Sequence, residues 1–132
     1  MHSPTPDRFF DGGGHERAAG YARAVRRGTA IMVSGTTAND GHGGARHVGD
    51  TGAQTTEALG QALAAIAALG GRSDDVVRTR IFLAPGADWQ AASTAHAAVF
   101  GDVSPANTML FVHALIGEGF LVEVEIDAIV DR

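Results

Sequence analysis

Near its C-terminus the chain reads Val122-Glu123-Val124-Glu125-Ile126-Asp127-Ala128, aliphatic and acidic residues in strict alternation. A period of two belongs to a strand with one dry face and one polar face; a helix would scatter both classes around its circumference. Such a strand must have a second layer covering its aliphatic side, and it gathers three carboxylates on the other. The stretch before it, from Ser104-Pro105-Ala106-Asn107-Thr108, reads as a partner strand over about Asn107 to Leu115. Asn107, Met109, Phe111 and His113 share one of its faces. Gly117-Glu118-Gly119 supplies turn chemistry between the two, so the pattern predicts a terminal hairpin.

Upstream, residues 1–17 are polar and glycine-rich and read as a flexible lead-in to a single domain over residues 18–132. The glycines of Asp11-Gly12-Gly13-Gly14-His15-Glu16 form no dinucleotide fingerprint, because neither a strand nor a helix is expected beside them. Gly20 to Arg26 and Ala30 to Gly35 read as short strands joined at Arg27-Gly28. Residues 37–50 form a loop of turn-formers, where His42 and His47, without a carboxylate strand nearby, make a poor metal site. Asp50 caps a helix over Thr51 to Leu69, with an apolar stripe of Ala58, Leu59, Ala62, Leu63, Ile66 and Leu69. Gln54, Glu57 and Gln61 fall on its wet side, and Gly70-Gly71 ends it. Asp75 to Leu83 is a strand that sets Val77, Thr79, Ile81 and Leu83 against Arg78, Arg80 and Phe82. Its arginines are placed to pair with the acidic face of the last strand, at ~0.2–1 kcal/mol per pair. Asp88-Trp89 opens a second helix to Phe100, whose apolar stripe includes His96, read as a packed histidine rather than a base.

The order β-β-α-β-α-β-β predicts an α+β two-layer sandwich, a mixed or antiparallel sheet with two helices on one face. The other face then carries both apolar and charged groups, which makes self-association plausible.

The residue types present narrow the chemistry. The chain has no cysteine, so thiol nucleophiles and thiolate metal sites are excluded. All ten basic residues are arginine, which removes lysine Schiff-base chemistry and the P-loop lysine. Ser34 lacks a Gly-x-Ser-x-Gly elbow. The net charge of −5 opposes a nucleic-acid partner. No run approaches the ~18 apolar residues of a membrane span, and residues 1–7 lack the features of a signal peptide, so a cytoplasmic location is expected.

Ser-Pro-Ala-Asn-Thr at 104–108, Val-Glu-Val-Glu-Ile at 122–126, Gly20-Tyr21-Ala22-Arg23-Ala24-Val25 and Val33-Ser34-Gly35 together resemble the Rid/YjgF family of imine/enamine deaminases. The resemblance covers roughly residues 18–130. It implies a chorismate-mutase-like fold, a homotrimer, and inter-subunit clefts that bind a small metabolite without metal or organic cofactor. It also implies roles for individual residues. Glu123 would position the attacking water, as the catalytic group. Tyr21 would line the cleft, and Ser34, Gly35 and Met109 would lie along the substrate, with backbone amides facing it. The family's usual Pro-Ala-Arg-Ser/Thr arginine, which holds a substrate carboxylate, is Asn107 here. Asparagine carries no charge and no guanidinium fork. The resemblance therefore implies either a deaminase-type hydrolase with an altered substrate range, a non-catalytic metabolite-binding trimer, or a hydrolase or lyase that reuses the cleft. Whether Glu16, Arg23 or Arg26 reaches that cleft is left open at this level.

Overall fold

The computed structural model describes residues 7–132. The elements are β1 (Arg8–Phe9), α1 (Gly14–Ala19), β2 (Ala24–Arg27), β3 (Ala30–Thr37), α2 (Thr51–Ala68), β4 (Val76–Leu83), α3 (Trp89–Phe100), β5 (Ala106–Phe111) and β6 (Val122–Ile129). The strands form one sheet in the order β1-β2-β3-β6-β4-β5, with β4 and β5 parallel and the other pairs antiparallel. The long helices α2 and α3 pack on one face, so the fold is the expected α+β two-layer arrangement around a mixed sheet.

Both long helices start at the expected aspartates. The Asp50 side chain accepts from Ala53 N, and Asp88 accepts from Gln90 N and Ala91 N. Asp88 N in turn donates to Thr51 Oγ1 at 3.0 Å, fastening the two helix starts together. α2 ends where Gly70 takes φ +90°, a conformation that costs glycine no steric strain. Its aliphatic side meets Val122, Val124, Ile126 and Ala128 of β6, all at most 1% exposed.

That burial explains why the terminal hairpin does not form. β6 is dry along its whole aliphatic side and lies in the sheet interior, paired to β3 on one edge and β4 on the other. β5 is reached from β4 through α3, the crossover a parallel pair requires. Residues 112–121 then carry the chain from the sheet edge to its centre, and β5 closes at Phe111 rather than Leu115.

Three further expectations are corrected. Residues 7–17 are not simply a flexible lead-in: β1 adds to the sheet beside β2, and α1 begins at Gly14, so a short strand and a helix do flank the glycines. Glu16 explains that order, since its buried carboxylate accepts from Asp11 N and Gly12 N, both at 3.2 Å. In β4, a register shift between Val76 and Arg78 turns Val76 inward and leaves Val77 exposed. Gln54, expected on the wet side of α2, is fully buried. It donates to Gly119 O at 2.8 Å and accepts from Leu121 N at 2.8 Å, pinning the connection that feeds β6.

Candidate functional site

The sheet face away from α2 and α3 carries Glu123, Glu125 and Asp127. Arg80 lies 3.5 Å from Glu125 Oε1 and 3.3 Å from Asp127 Oδ2, so these two carboxylates join the cross-strand ion pairs that the charge pattern predicts. Glu123 has no such pairing among the described residues. It stands opposite Thr37 on β3 and Phe82 on β4. Burial, with help from neighbouring Glu125, raises its proton affinity, and Arg23 partly opposes the rise.

Gly35 makes room for that carboxylate. β3 loses register against β6 between Val33 and Thr36, which places Ser34 and Gly35 in a bulge inside the strand rather than at its end. A Cβ on Gly35 would land on the Glu123 carboxylate, 3.0 Å from its Cδ. Only a residue without a side chain lets the two approach this closely.

The bulge is held by Arg23. Its Nη1 donates to Gly35 O at 2.5 Å, Ser34 O at 3.4 Å and Thr36 Oγ1 at 3.2 Å. Its Nη2 reaches Tyr21 Oη at 3.4 Å, and its guanidinium carbon lies 5.6 Å from the Tyr21 ring centre. Nε is buried 3.3 Å from Asp11 Oδ2, an ionic contact rather than an aligned hydrogen bond. Glu16, by fixing the Asp11 and Gly12 amides, sets that aspartate in place and so acts behind the cluster. Ser34 is also turned inward: its hydroxyl donates to Ala22 O at 2.7 Å and its amide to Arg23 O at 2.8 Å. Arg26 points elsewhere, to Leu69 O and Gly28 O. The structure thus brings Tyr21, Arg23, Ser34, Gly35 and Glu123 together.

It does not bring Asn107 or Met109 to them. Both alternate onto the helix-covered face, in register with Thr79 and Ile81 of β4. Glu123 is on the opposite face, in line with Phe82 and, beyond it, Leu110. Two strand spacings and three residues along β5 put the Glu123 and Asn107 backbones roughly 14 Å apart. Asn107 instead lines a cleft of ≈ 340 Å³ with Leu83, Trp89, Met109, Leu110 and Phe111. Its Nδ2 donates to Thr79 Oγ1 at 2.9 Å, and Thr79 Oγ1 lies 2.8 Å from His96 Nε2. His96 also packs on Phe100, ring centres 5.1 Å apart, and burial lowers its proton affinity.

Sequence reasoning passed over Arg23 as the organiser of its cluster and His96 as a hydrogen-bonding member of the second. The Arg27-Gly28 turn held the first signal: β2–β3 hairpin register places Arg23 opposite Ser34. No local signal marks the second, because Thr79, His96 and Asn107 come from three separate elements.

A larger hollow of ≈ 490 Å³ lies on the outer side of α2 beside His47 and Glu57, which are 3.8 Å apart. Among the described residues no group of three or more His, Cys, Asp or Glu could hold a metal ion, and no helix is long and apolar enough to cross a membrane.

Residues 15–130 match the endoribonuclease L-PSP family. The chain is 39% identical over 131 residues to an uncharacterized protein of Streptomyces coelicolor, covering 97% of this chain and 95% of that one. It is 40% identical to Rv2704 of Mycobacterium tuberculosis, described as a member of the YjgF/YER057c/UK114 family, at a TM-score of 0.82 over 93% of this chain and 98% of that one. The E. coli protein TdcF, solved with bound serine, shares the fold at 19% identity and a TM-score of 0.75, over 84% and 88% of the two chains.

Proposed function

The chain belongs to the endoribonuclease L-PSP, or YjgF/UK114, family, and on that premise we propose that it is a cofactor-independent hydrolase of small imines or enamines, working in clefts between copies of itself. The observation that carries the reading is the seating of Glu123 on side-chain-free Gly35 within a bulge clamped by Arg23. A half-buried carboxylate with raised proton affinity and, among the described residues, no cation bonded to it suits a group that orients water and moves its proton.

The same geometry supports assembly. Glu123 and Asn107 lie on opposite faces of one sheet, so no ligand within one chain spans both. A second copy bringing its Asn107–Met109 edge against the Glu123 face would complete the cleft, and a ring of three such contacts closes it. The exposed apolar groups Met32, Leu110 and Ile129 suit that contact. In the reaction, Glu123 would take a proton from water as the oxygen attacks the C=N carbon, with the electron pair moving to nitrogen. That proton then passes to the nitrogen to give a carbinolamine. The hydroxyl proton follows to the nitrogen through the same carboxylate, the C–N bond breaks as the C=O bond forms, and ammonia leaves a carbonyl product. Tyr21 lines the cleft, the Gly35 and Met109 backbones face the substrate, and Ser34 supports the bulge from behind. The net charge of −5 weighs against RNA as substrate.

A second reading, a metabolite-binding trimer without chemistry, is favoured by Asn107 standing where the family's carboxylate-holding arginine would be. One assay separates the two. 2-Iminobutanoate is generated in situ by an amino-acid oxidase, and ammonia release is followed for wild type, Glu123→Gln and Asn107→Arg. Saturable release that falls about 10²–10⁴-fold in Glu123→Gln supports the hydrolase. Release gained only by Asn107→Arg indicates an intact cleft tuned to uncharged substrates. Silence from all three favours the binding protein.

A further inference from the structure

The hydrogen bonds behind Asn107 fix more than its position. Thr79 Oγ1 has two polar neighbours among the described residues, Asn107 Nδ2 and His96 Nε2. It accepts from the amide, so its own proton has one available recipient, the His96 Nε2 lone pair. A hydroxyl that donates in this direction requires a neutral His96 with its hydrogen on Nδ1. Burial of the ring against α3 and the sheet acts in the same direction. Thr79 itself is fully buried, so water does not compete for the relay.

Asn107 lines the cleft, and with one amide hydrogen held by Thr79 its Oδ1 and its other hydrogen are left for a ligand. The walls there are Trp89 and Phe111, 51% and 53% exposed, with Met109 and Leu83 behind, the Ser93 hydroxyl beside them, and Leu110 reaching the rim from the other face of β5. Among the described residues no charged side chain lines this cleft. Arg23, in the Glu123 cluster, is occupied by the bulge and Asp11.

We propose that His96 and Thr79 are positioning residues that lock the Asn107 amide, and that the resulting cleft selects an uncharged planar ligand bearing a carboxamide- or lactam-like edge. Such an edge gives its N–H to Oδ1 and accepts from the free amide hydrogen. A carboxylate would set two acceptor oxygens against Oδ1 and bring a charge without a cation between walls whose one hydroxyl is that of Ser93. The inference deepens the cleft reading above and rests on Asn107 being part of a ligand site.

Benzamide and benzoate, alike in shape, are the probes, titrated by NMR against the intact protein. Benzamide is expected to bind about tenfold or more tightly than benzoate, with shifts at the Asn107 side-chain amide and the Trp89 indole. Thr79→Val should bring the two affinities within about twofold, and Thr79→Ser, which keeps the hydroxyl, should restore the preference. Imidazole ¹⁵N spectra of wild type should show His96 protonated on Nδ1; protonation on Nε2 overturns the relay. Benzoate binding as well as benzamide, or neither probe binding, overturns the ligand class. Saturable ammonia release with benzoate preferred would sink this inference and leave the hydrolase standing. Benzamide preference with no turnover would do the reverse.

Discussion

Two polar clusters occupy opposite faces of one sheet, and they solve different problems. Around Gly35 the groups are charged and crowded. Arg23 holds three oxygens of the bulge, Asp11 sits behind it, and the Glu123 carboxylate rests where a side chain would otherwise be. Around Asn107 the groups are neutral and arranged in a line, amide to hydroxyl to imidazole, under aromatic walls. The first arrangement tunes a proton; the second fixes a direction. A cleft assembled from both faces would carry its reactivity on one wall and its selectivity on the other, so the two can vary independently. A substitution at Asn107 would then change one wall alone.

The largest expected effect tests the separation directly. Gly35→Ala pushes a methyl group into the Glu123 carboxylate, and the flexible side chain must swing away. Gly35 lies outside the positive-φ region, so the backbone itself accepts alanine. Turnover on an imine substrate should fall about 100-fold with benzamide affinity nearly unchanged, because a misplaced reacting group costs rate before it costs binding. Equal losses in kcat and benzamide affinity would mean that the walls are not independent.

Stability should show the same asymmetry at smaller scale. Arg23→Met leaves two carbonyls, a hydroxyl and Asp11 without their cation, in a side chain only 11% exposed. A loss of about 2–3 kcal/mol in urea denaturation is expected, and Arg23→Lys should recover little of it, since an ammonium lacks the planar fork. Asn107→Ala, on an exposed edge residue, should cost under about 1 kcal/mol. Comparable losses would make Asn107 a structural residue and weaken its reading as a ligand contact.

Much of this framework is legible in the sequence where the signal is local. The β6 alternation, the Asp50 and Asp88 caps and the α2 stripe each rest on residues a few positions apart, and each is found as expected. What escapes is pairing. Nothing in the alternation says that β6 lies between β3 and β4 rather than beside β5, because a strand's neighbours are chosen by the burial of its flanks. Gln54 is a different case. It lies four residues before Ala58 on the buried stripe, so its position was readable, but its polarity argued the other way. Its burial is stable because the 119–121 backbone satisfies both ends of the amide. The residues gathered around Glu123 fall near one hairpin and one strand, so their proximity is within reach of local pattern, while the role expected of Glu123 came from the family resemblance. The Asn107 relay draws on β4, α3 and β5, and exists only once the crossover is in place.

The smallest expected effect is a pH signature of opposite sign on the two faces. Glu123 has its proton affinity raised above the ordinary value of 4.5 by burial and by Glu125. The unfolded chain therefore loses that proton first, and the group draws stability away as pH climbs through the window above 4.5. His96 is shifted below 6.5 by burial, so the unfolded chain gains a proton first as pH falls from 6.5, and stability is lost in that direction. Glu123→Gln should thus melt about 1–2 °C above wild type at pH 7 and lose that advantage near pH 4. His96→Gln should instead flatten the decline below pH 6.5 and leave the region above it unchanged in slope. If Glu123→Gln gains more at pH 4 than at pH 7, the carboxylate is stabilised in its charged form, and its role as a proton-moving group would need a different physical basis. If His96→Gln leaves the acid limb as steep as before, the imidazole already accepts a proton in the fold, and the line of hydrogen bonds that holds Asn107 would run the other way.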